Sequence, residues 1–261
     1  MKKRRICFKT IWTIFAVGFI LQKLVAAPKI PEAKVPFATN APIIDGEIHE
    51  KEWAQATVLH FLGDSDKGKK DKSRILLLWS PKGLFVGFDA IDRSFIYGNF
   101  PPKDPLYMED TFEIFIDALG TPRQYFELQA NPAGQTFLKN YVITAEPVLT
   151  SENRMTPEFI ATHLWRFDDQ LPPDFKIVSK INATQGSWKM EMFLPAAWLN
   201  HRHGGGPLTP QTFLMNFARH DWNQPPSVKN RQCQFYYWSA VLKGHPHLSP
   251  TLMGKVVLEK P

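Results

Sequence analysis

Apolar and polar residues alternate with a period of two along much of this chain. In Thr111–Ala118 (TFEIFIDA), Phe112, Ile114 and Ile116 interleave with Glu113, Phe115 and Asp117. That is the mark of a strand with one face turned to a core. Arg74–Ser80 and Leu84–Ile91 are strand-length apolar runs joined by Pro81-Lys82-Gly83, a glycine-containing hairpin loop. Thr111–Ala118 and Gln124–Asn131 flank LGTPR, and Thr136–Val142 continues that meander. Phe175–Ile181 and Trp188–Leu194 flank NATQGS, while Phe213–Asp221, Gln234–Leu242 and Leu252–Glu259 supply the last strands. About ten strands at short spacing, without alternating long helices, predict an all-β fold, an antiparallel β-sandwich.

Helical signals are short. Ile43-Ile44 suits a brief strand and Asp45-Gly46 a turn. Glu47–Ala56 then reads as a short helix with Ile48, Glu52 and Trp53 at helical spacing, where Trp53 is core or a ligand platform. Pro195–Leu199 allows one helical turn, and Thr144–Pro173 and Asn200–Pro210 read as irregular. Trp79, Trp188, Trp198 and Trp238 fall in or beside strands and read as core.

Composition changes this picture mainly at the N-terminus. The chain has 261 residues and a formal charge of +6. Residues 1–27 hold Lys2, Lys3, Arg4, Arg5, Lys9 and Lys23 and no acid; subtracting those six from 31 leaves 25 basic residues against 25 acidic ones. The remainder is neutral, so no basic footprint for nucleic acid is present. The basic start, the apolar run from Ile11 to Leu21 and the small residues Ala26 and Ala27 make residues 1–27 a secretory signal peptide, with an uncleaved membrane anchor as the alternative. Export to the periplasm, cell surface or medium is expected. Ala27–Pro36 is proline-spaced, so residues 28–40 read as a linker and 41–261 as one domain. Cys233 is the lone cysteine after the leader and has no readable His partner.

One face carries candidate chemistry. In Tyr125–Asn131 (YFELQAN), Tyr125, Glu127, Gln129 and Asn131 point away from Phe126, Leu128 and Ala130. If that strand pairs with Thr111–Ala118, then Glu113, Glu127 and Gln129 share a face, with Tyr107 in the loop at its rim. This is either a solvated outer face or a concave polar face for a hydroxyl-rich ligand. Sugars pack C–H faces on aromatic rings and pair hydroxyls with groups such as Glu, Gln and Asn. Arg219 and His220 on NFARHDW are further candidates, with an internal salt bridge as the other reading of Arg219. Trp222, beside Asn223 and Pro225, is an extra platform. The pairs His201/His203 and His245/His247 have i, i+2 spacing, but no carboxylate or cysteine set completes a metal site.

The ordered segments IDGEIHEKEWAQA, LLLWSPKGLFVGFDAID, YMEDTFEIFIDA, YFELQANPAGQTF, NFARHD and WS…HLSPTLMGKVVL resemble carbohydrate-binding module family 9, from about Pro42 to Leu258. The resemblance implies a DOMON-like or jelly-roll-like β-sandwich with one or two short helices. It also implies sugar binding, often at glycan chain ends and beside a glycoside hydrolase partner. Tyr107 then stands where the family usually has tryptophan, and Glu113 where a glutamate bonds the sugar. Glu127 and Gln129 occupy two polar positions held by arginine and asparagine in the best-known members. His247 is the nearest match to a second aromatic clamp. The resemblance further implies structural calcium, with Asp45, Asp92 and Asp110 as contributors. A monomer is expected.

Two other functions compete. A glycoside hydrolase needs two carboxyls about 5–10 Å apart, and Glu109, Asp110, Glu113 and Glu127 supply carboxyls. A shallow sheet face lacks the cleft that raises a general acid's pKa, so a noncatalytic module is the leading reading. A haem-binding relative of the same sandwich would draw axial ligands from Met108, Met253, His220 and His247.

Overall fold

The computed structural model describes residues 28–62, 73–92, 106–150, 154–200, 204–241 and 246–261. The leader, His201, His203 and His245 lie outside the described residues. Two sheets face one another. The large sheet runs β1 (Glu32–Val35), β13 (Gly254–Leu258), β11 (Thr212–Trp222), β5 (Thr111–Asp117), β6 (Gln124–Ala130), β7 (Thr136–Ile143), β8 (Leu164–Asp168). Beside the second half of β11 lies β12 (Cys233–Tyr237). The small sheet runs β2 (Thr57–His60), β3 (Ser73–Ser80), β4 (Gly83–Ile91), β10 (Ser187–Pro195), β9 (Lys176–Asn182). Neighbouring strands are antiparallel except β1 and β13, which are parallel. Two short helices, α1 (Pro157–His163) and α2 (Ala196–Leu199), complete the described elements. This is an all-β antiparallel sandwich, as the alternation predicts.

Period-two alternation builds the core directly. Phe112, Ile114 and Ile116 of β5 join Phe126 and Leu128 of β6 and Phe213, Met215 and Phe217 of β11. Facing them are Ile75, Leu77 and Trp79 of β3, Val86 and Phe88 of β4, and Trp188, Met190 and Met192 of β10. Phe88 stacks on Phe112 across the sheets at 4.3 Å between ring centroids. Trp79, Trp188, Trp198 and Trp238 are all buried, as expected.

Four local expectations are revised. Residues 32–35 are not linker: Ala33 and Val35 are buried, and the strand exists because it can pair in parallel with β13. Glu47–Ala56 forms successive turns instead of a helix, with Trp53 N–H donating to the His49 carbonyl and Ala56 N–H to that of Trp53; Ile43-Ile44 is not in a strand. The segment Thr144–Pro173 contains α1 and β8. Thr156 caps α1, its hydroxyl accepting from Phe159 N–H, and Pro157 fits the first helical turn.

The outer face of the small sheet is covered by those turns. Trp53, Leu76, Leu78, Phe85 and Ala38 form a second apolar cluster. Gly46 adopts φ +84°, which lets the Asp45-Gly46 turn aim two backbone N–H groups at Glu191. Glu191 Oε2 accepts both at 2.9 Å, and its Oε1 accepts from Trp53 Nε1 at 2.8 Å. Trp53 is therefore core, clipped in place by a buried acid.

Candidate functional site

The outer face of the large sheet carries the other set of buried acids. Register puts Glu113 opposite Gln129 and opposite Ala218, and Phe115 opposite Glu127. Glu113 and Glu127 are thus diagonal neighbours on one face, within reach of each other's fields. Tyr125, Tyr141, Phe115, Ala218 and Met253 pack around them as a third cluster.

The face is buried, not solvated. Glu113 is 2% exposed, Glu127 5% and Gln129 1%. Glu127 is fully engaged: its Oε2 accepts from the Tyr141 hydroxyl at 2.5 Å and its Oε1 from Gln129 Nε2 at 2.8 Å. The Gln129 carbonyl oxygen accepts from Leu106 N–H at 2.8 Å. Gln129 therefore ties the loop carrying Tyr107 to the sheet instead of offering groups to a ligand. Glu113 differs. Its Oε2 lies 3.5 Å from His220 Nε2, and its Oε1 is buried with no hydrogen-bond partner.

Tyr107 sits at the rim, 43% exposed, in a 3₁₀ turn (Leu106–Met108). Its carbonyl accepts from His220 Nδ1 at 3.1 Å and from Trp222 Nε1 at 3.0 Å. Because a carbonyl only accepts, Nδ1 of His220 carries the proton, and Nε2 of the neutral ring presents a lone pair toward Glu113. Phe235 of β12 is a second rim aromatic, 46% exposed and opposite His220 in register. The Tyr107 and Phe235 rings both stand edge-on to His220, with centroids at 6.4 and 4.8 Å. Phe235 was not legible as a site residue, since CQFYY shows no alternation from which its direction could be read.

Burial sets the protonation states. Desolvation, reinforced by the neighbouring Glu127, holds the Glu113 carboxyl well above the usual carboxylate range. Glu127 is also raised by desolvation, opposed by its bonds from Tyr141 and Gln129. Desolvation pulls His220 down to about 4, so the His220–Glu113 contact joins two neutral groups at neutral pH.

The remaining expected residues divide. Trp222 supports the rim: its backbone N–H donates to Asp110 at 2.7 Å, and Arg231 covers its ring at 3.7 Å. With that ring face taken, it is a buttress and not an open platform. His247 packs on Tyr141 and Tyr125 at 4.4 and 5.9 Å, meets the Tyr125 hydroxyl at 2.8 Å and stands 3.7 Å from Glu127. It closes the Glu127 end of the face and does not act as a free clamp. Arg219 points the other way, because odd positions of β11 face the interior. It is fully buried, 3.1 Å from Asp92 and 3.3 Å from Asp221, and donates to the Ser73 hydroxyl at 2.7 Å. The salt-bridge reading of Arg219 is the correct one, and it leaves the candidate site.

Asp92, Asp110 and Asp221 do come together, with carboxylate oxygens within 4.8 Å of one another. The set fits calcium poorly, because the Arg219 guanidinium already supplies the positive charge between two of the three acids. Desolvation and the Asp92 charge push the Asp110 carboxyl up to about 8. Asp45 lies on the small sheet's outer face, accepting from Glu47 N–H at 2.9 Å, and does not join them. For haem, Met253 is packed in the third cluster, and His220 and His247 have both ring nitrogens facing partners.

No protein-family model matches the sequence, and no curated protein matches it. Solved structures do. A carbohydrate-binding module family 9 from Caldicellulosiruptor kristjanssonii in complex with cellotriose aligns with a TM-score of 0.58 and 14% identity, over 88% of this chain and 94% of that one. The glucose complex of a family 9 module from the same organism gives 0.56 and 14%, over 88% and 97%. A protein from Bacteroides uniformis with a provisional carbohydrate-binding assignment gives 0.59 and 15%, over 88% and 100%. At these identities the likeness speaks to architecture: the chain has a family 9-like β-sandwich fold.

Proposed function

We propose that this protein is an exported, noncatalytic carbohydrate-binding module that supports polysaccharide breakdown beside a glycoside hydrolase. Its ligand stacks on Tyr107 and Phe235 at the rim of the large sheet and bonds to Glu113 beneath them. One observation carries the reading. Glu113 Oε1 is a buried acceptor without a hydrogen-bond partner among the described residues, and the histidine that contacts Glu113, His220, has the half-exposed rings of Tyr107 and Phe235 edge-on to it. A buried polar atom left unpaired costs roughly 1–3 kcal/mol, a cost a ligand donor would relieve. Ligand entry displaces the cover over Glu113, and the exposed rings mark where. The ligands of the family 9 structures, cellotriose and glucose, are of the kind this arrangement would take.

The hydrolase reading has one observation in its favour, two neighbouring carboxyls with raised pKa. Against it, both Glu127 oxygens are already bonded, so Glu127 is not free to act as base or nucleophile beside Glu113. A glycan array probed with the purified chain tests the proposal. Retention on at least one glycan class is expected, lost in Tyr107→Ala without change in the thermal transition. Absence of binding to every glycan, or full binding by the variant, refutes it.

A further inference from the structure

The balance of charge on this face narrows the ligand class. Two carboxyls, Glu113 and Glu127, are buried side by side, and among the described residues no Lys or Arg side chain pairs with Glu113. The nearest basic neighbour, His220, offers Glu113 a lone pair and not a charge. The cations on this face lie at its far end: Arg166 of β8 acts on Glu127 and Tyr141, and Lys139 of β7 stands opposite Glu127 in register, paired with Asp168. Beside Glu113, therefore, the described residues place a second carboxyl and no cation. A desolvated carboxyl beside a second one gains most from a ligand that brings positive charge, and aromatic rings at the mouth favour an ammonium on a carbon frame.

A metal ion is the other cation to consider. Ligand atoms of Glu113, Glu127, His220 and His247 do not converge as a set of three within 4.8 Å, as those of Asp92, Asp110 and Asp221 do. The spread suits an extended organic cation better than a point charge.

Resting on the carbohydrate-binding reading above, we infer that the preferred ligand is an amino sugar or a glycan built from one. Its ammonium is held at Glu113 Oε1, with its ring against Tyr107 and Phe235. A neutral sugar offers the same ring but only a hydroxyl at that position. An N-acetylated sugar offers a bulkier, uncharged amide. The ammonium completes the ion pair that Glu113 lacks, so Glu113 gives up its proton as the ligand binds. The groups facing it that could take up part of this charge are Glu127 of β6, His220 of β11, Tyr237 and Cys233 of β12 and His247.

The test is calorimetric titration of the full chain with three trisaccharides of one backbone geometry: cellotriose, the trimer of glucosamine and the trimer of N-acetylglucosamine. The glucosamine trimer should bind at least tenfold tighter than the other two. Repeating it in two buffers of different ionisation enthalpy should show proton release. In Glu113→Gln the glucosamine trimer should fall to the level of cellotriose, whereas Tyr107→Ala should weaken all three alike. Equal or tighter binding of cellotriose overturns the inference and leaves sugar binding standing. Retained glucosamine preference in a folded Glu113→Gln also overturns it. Absence of binding by all three, together with an empty glycan array, overturns both readings.

Discussion

The two outer faces of the sandwich each bury a glutamate on a β-strand, and they treat it in opposite ways. On the small sheet, Glu191 receives three N–H donors from Trp53, Asp45 and Gly46, so every acceptor it turns inward is used. On the large sheet, Glu113 has one contact at 3.5 Å and an oxygen with nothing to accept from. Both carboxyls are raised by desolvation, but hydrogen bonds pull Glu191 back while the Glu127 charge pushes Glu113 further. The lesson is that burial alone does not mark a site. Glu191 anchors a loop; Glu113 Oε1 has no hydrogen-bond partner among the described residues.

The largest expected effect separates the faces by stability. Glu191→Ala strands three donors and should lower stability by about 3 kcal/mol in denaturant unfolding; a loss under about 1 kcal/mol would mean the clip does not hold the turn. Next is binding: Tyr107→Ala should weaken glycan binding by about 2 kcal/mol, roughly thirtyfold, by calorimetry, with the midpoint of unfolding nearly constant.

Smaller again is the pH dependence. Glu113 and Glu127 are raised in the folded state, so between the ordinary carboxylate range and their folded values the fold binds more protons than the unfolded chain. Stability therefore falls as pH rises through that window. His220 is depressed to about 4, so it opposes this between about 4 and its ordinary value of roughly 6.5, where the fold binds fewer protons. Above pH 6.5 the decline is unopposed by His220, and Asp110, raised to about 8, adds to it. Thermal midpoints should fall from pH 7 to 9, where Asp110 titrates, and the decline on the alkaline side of the ordinary carboxylate range should be shallower in Glu113→Gln. Equal slopes would show that Glu113 is not the titrating group. At neutral pH, Glu113→Gln itself should alter stability by under about 1 kcal/mol, because a neutral amide replaces a neutral acid. The smallest effect is that of calcium: adding it, or chelating it, should leave the midpoint unchanged, since the Arg219 guanidinium already stands between Asp92 and Asp221.

Much of the fold was legible because strands with one buried face must alternate. Thus β5, β6 and β11 and their core residues follow from the sequence. What was not legible depends on partners distant in sequence. The tetrapeptide EAKV becomes β1 only beside β13, and β8 is a largely exposed edge strand whose apolar residues carry no inward signal. Period-two parity puts His220 on the side of Ala218 and Arg219 on the opposite one, so grouping both in one site went against the alternation. Glu113, Glu127 and Gln129 do share a face, but the sequence could not say that Tyr141 and Leu106 would consume Glu127 and Gln129. Nor could it place Phe235 at the rim.

The most direct measurement is the carboxyl carbon resonance of each buried glutamate, followed by NMR while a binding glycan is added. The account predicts that the Glu113 signal moves to a saturating new position as the glycan binds, while that of Glu191 stays fixed. A fixed Glu113 signal under saturating ligand, or movement at Glu191 instead, would contradict it.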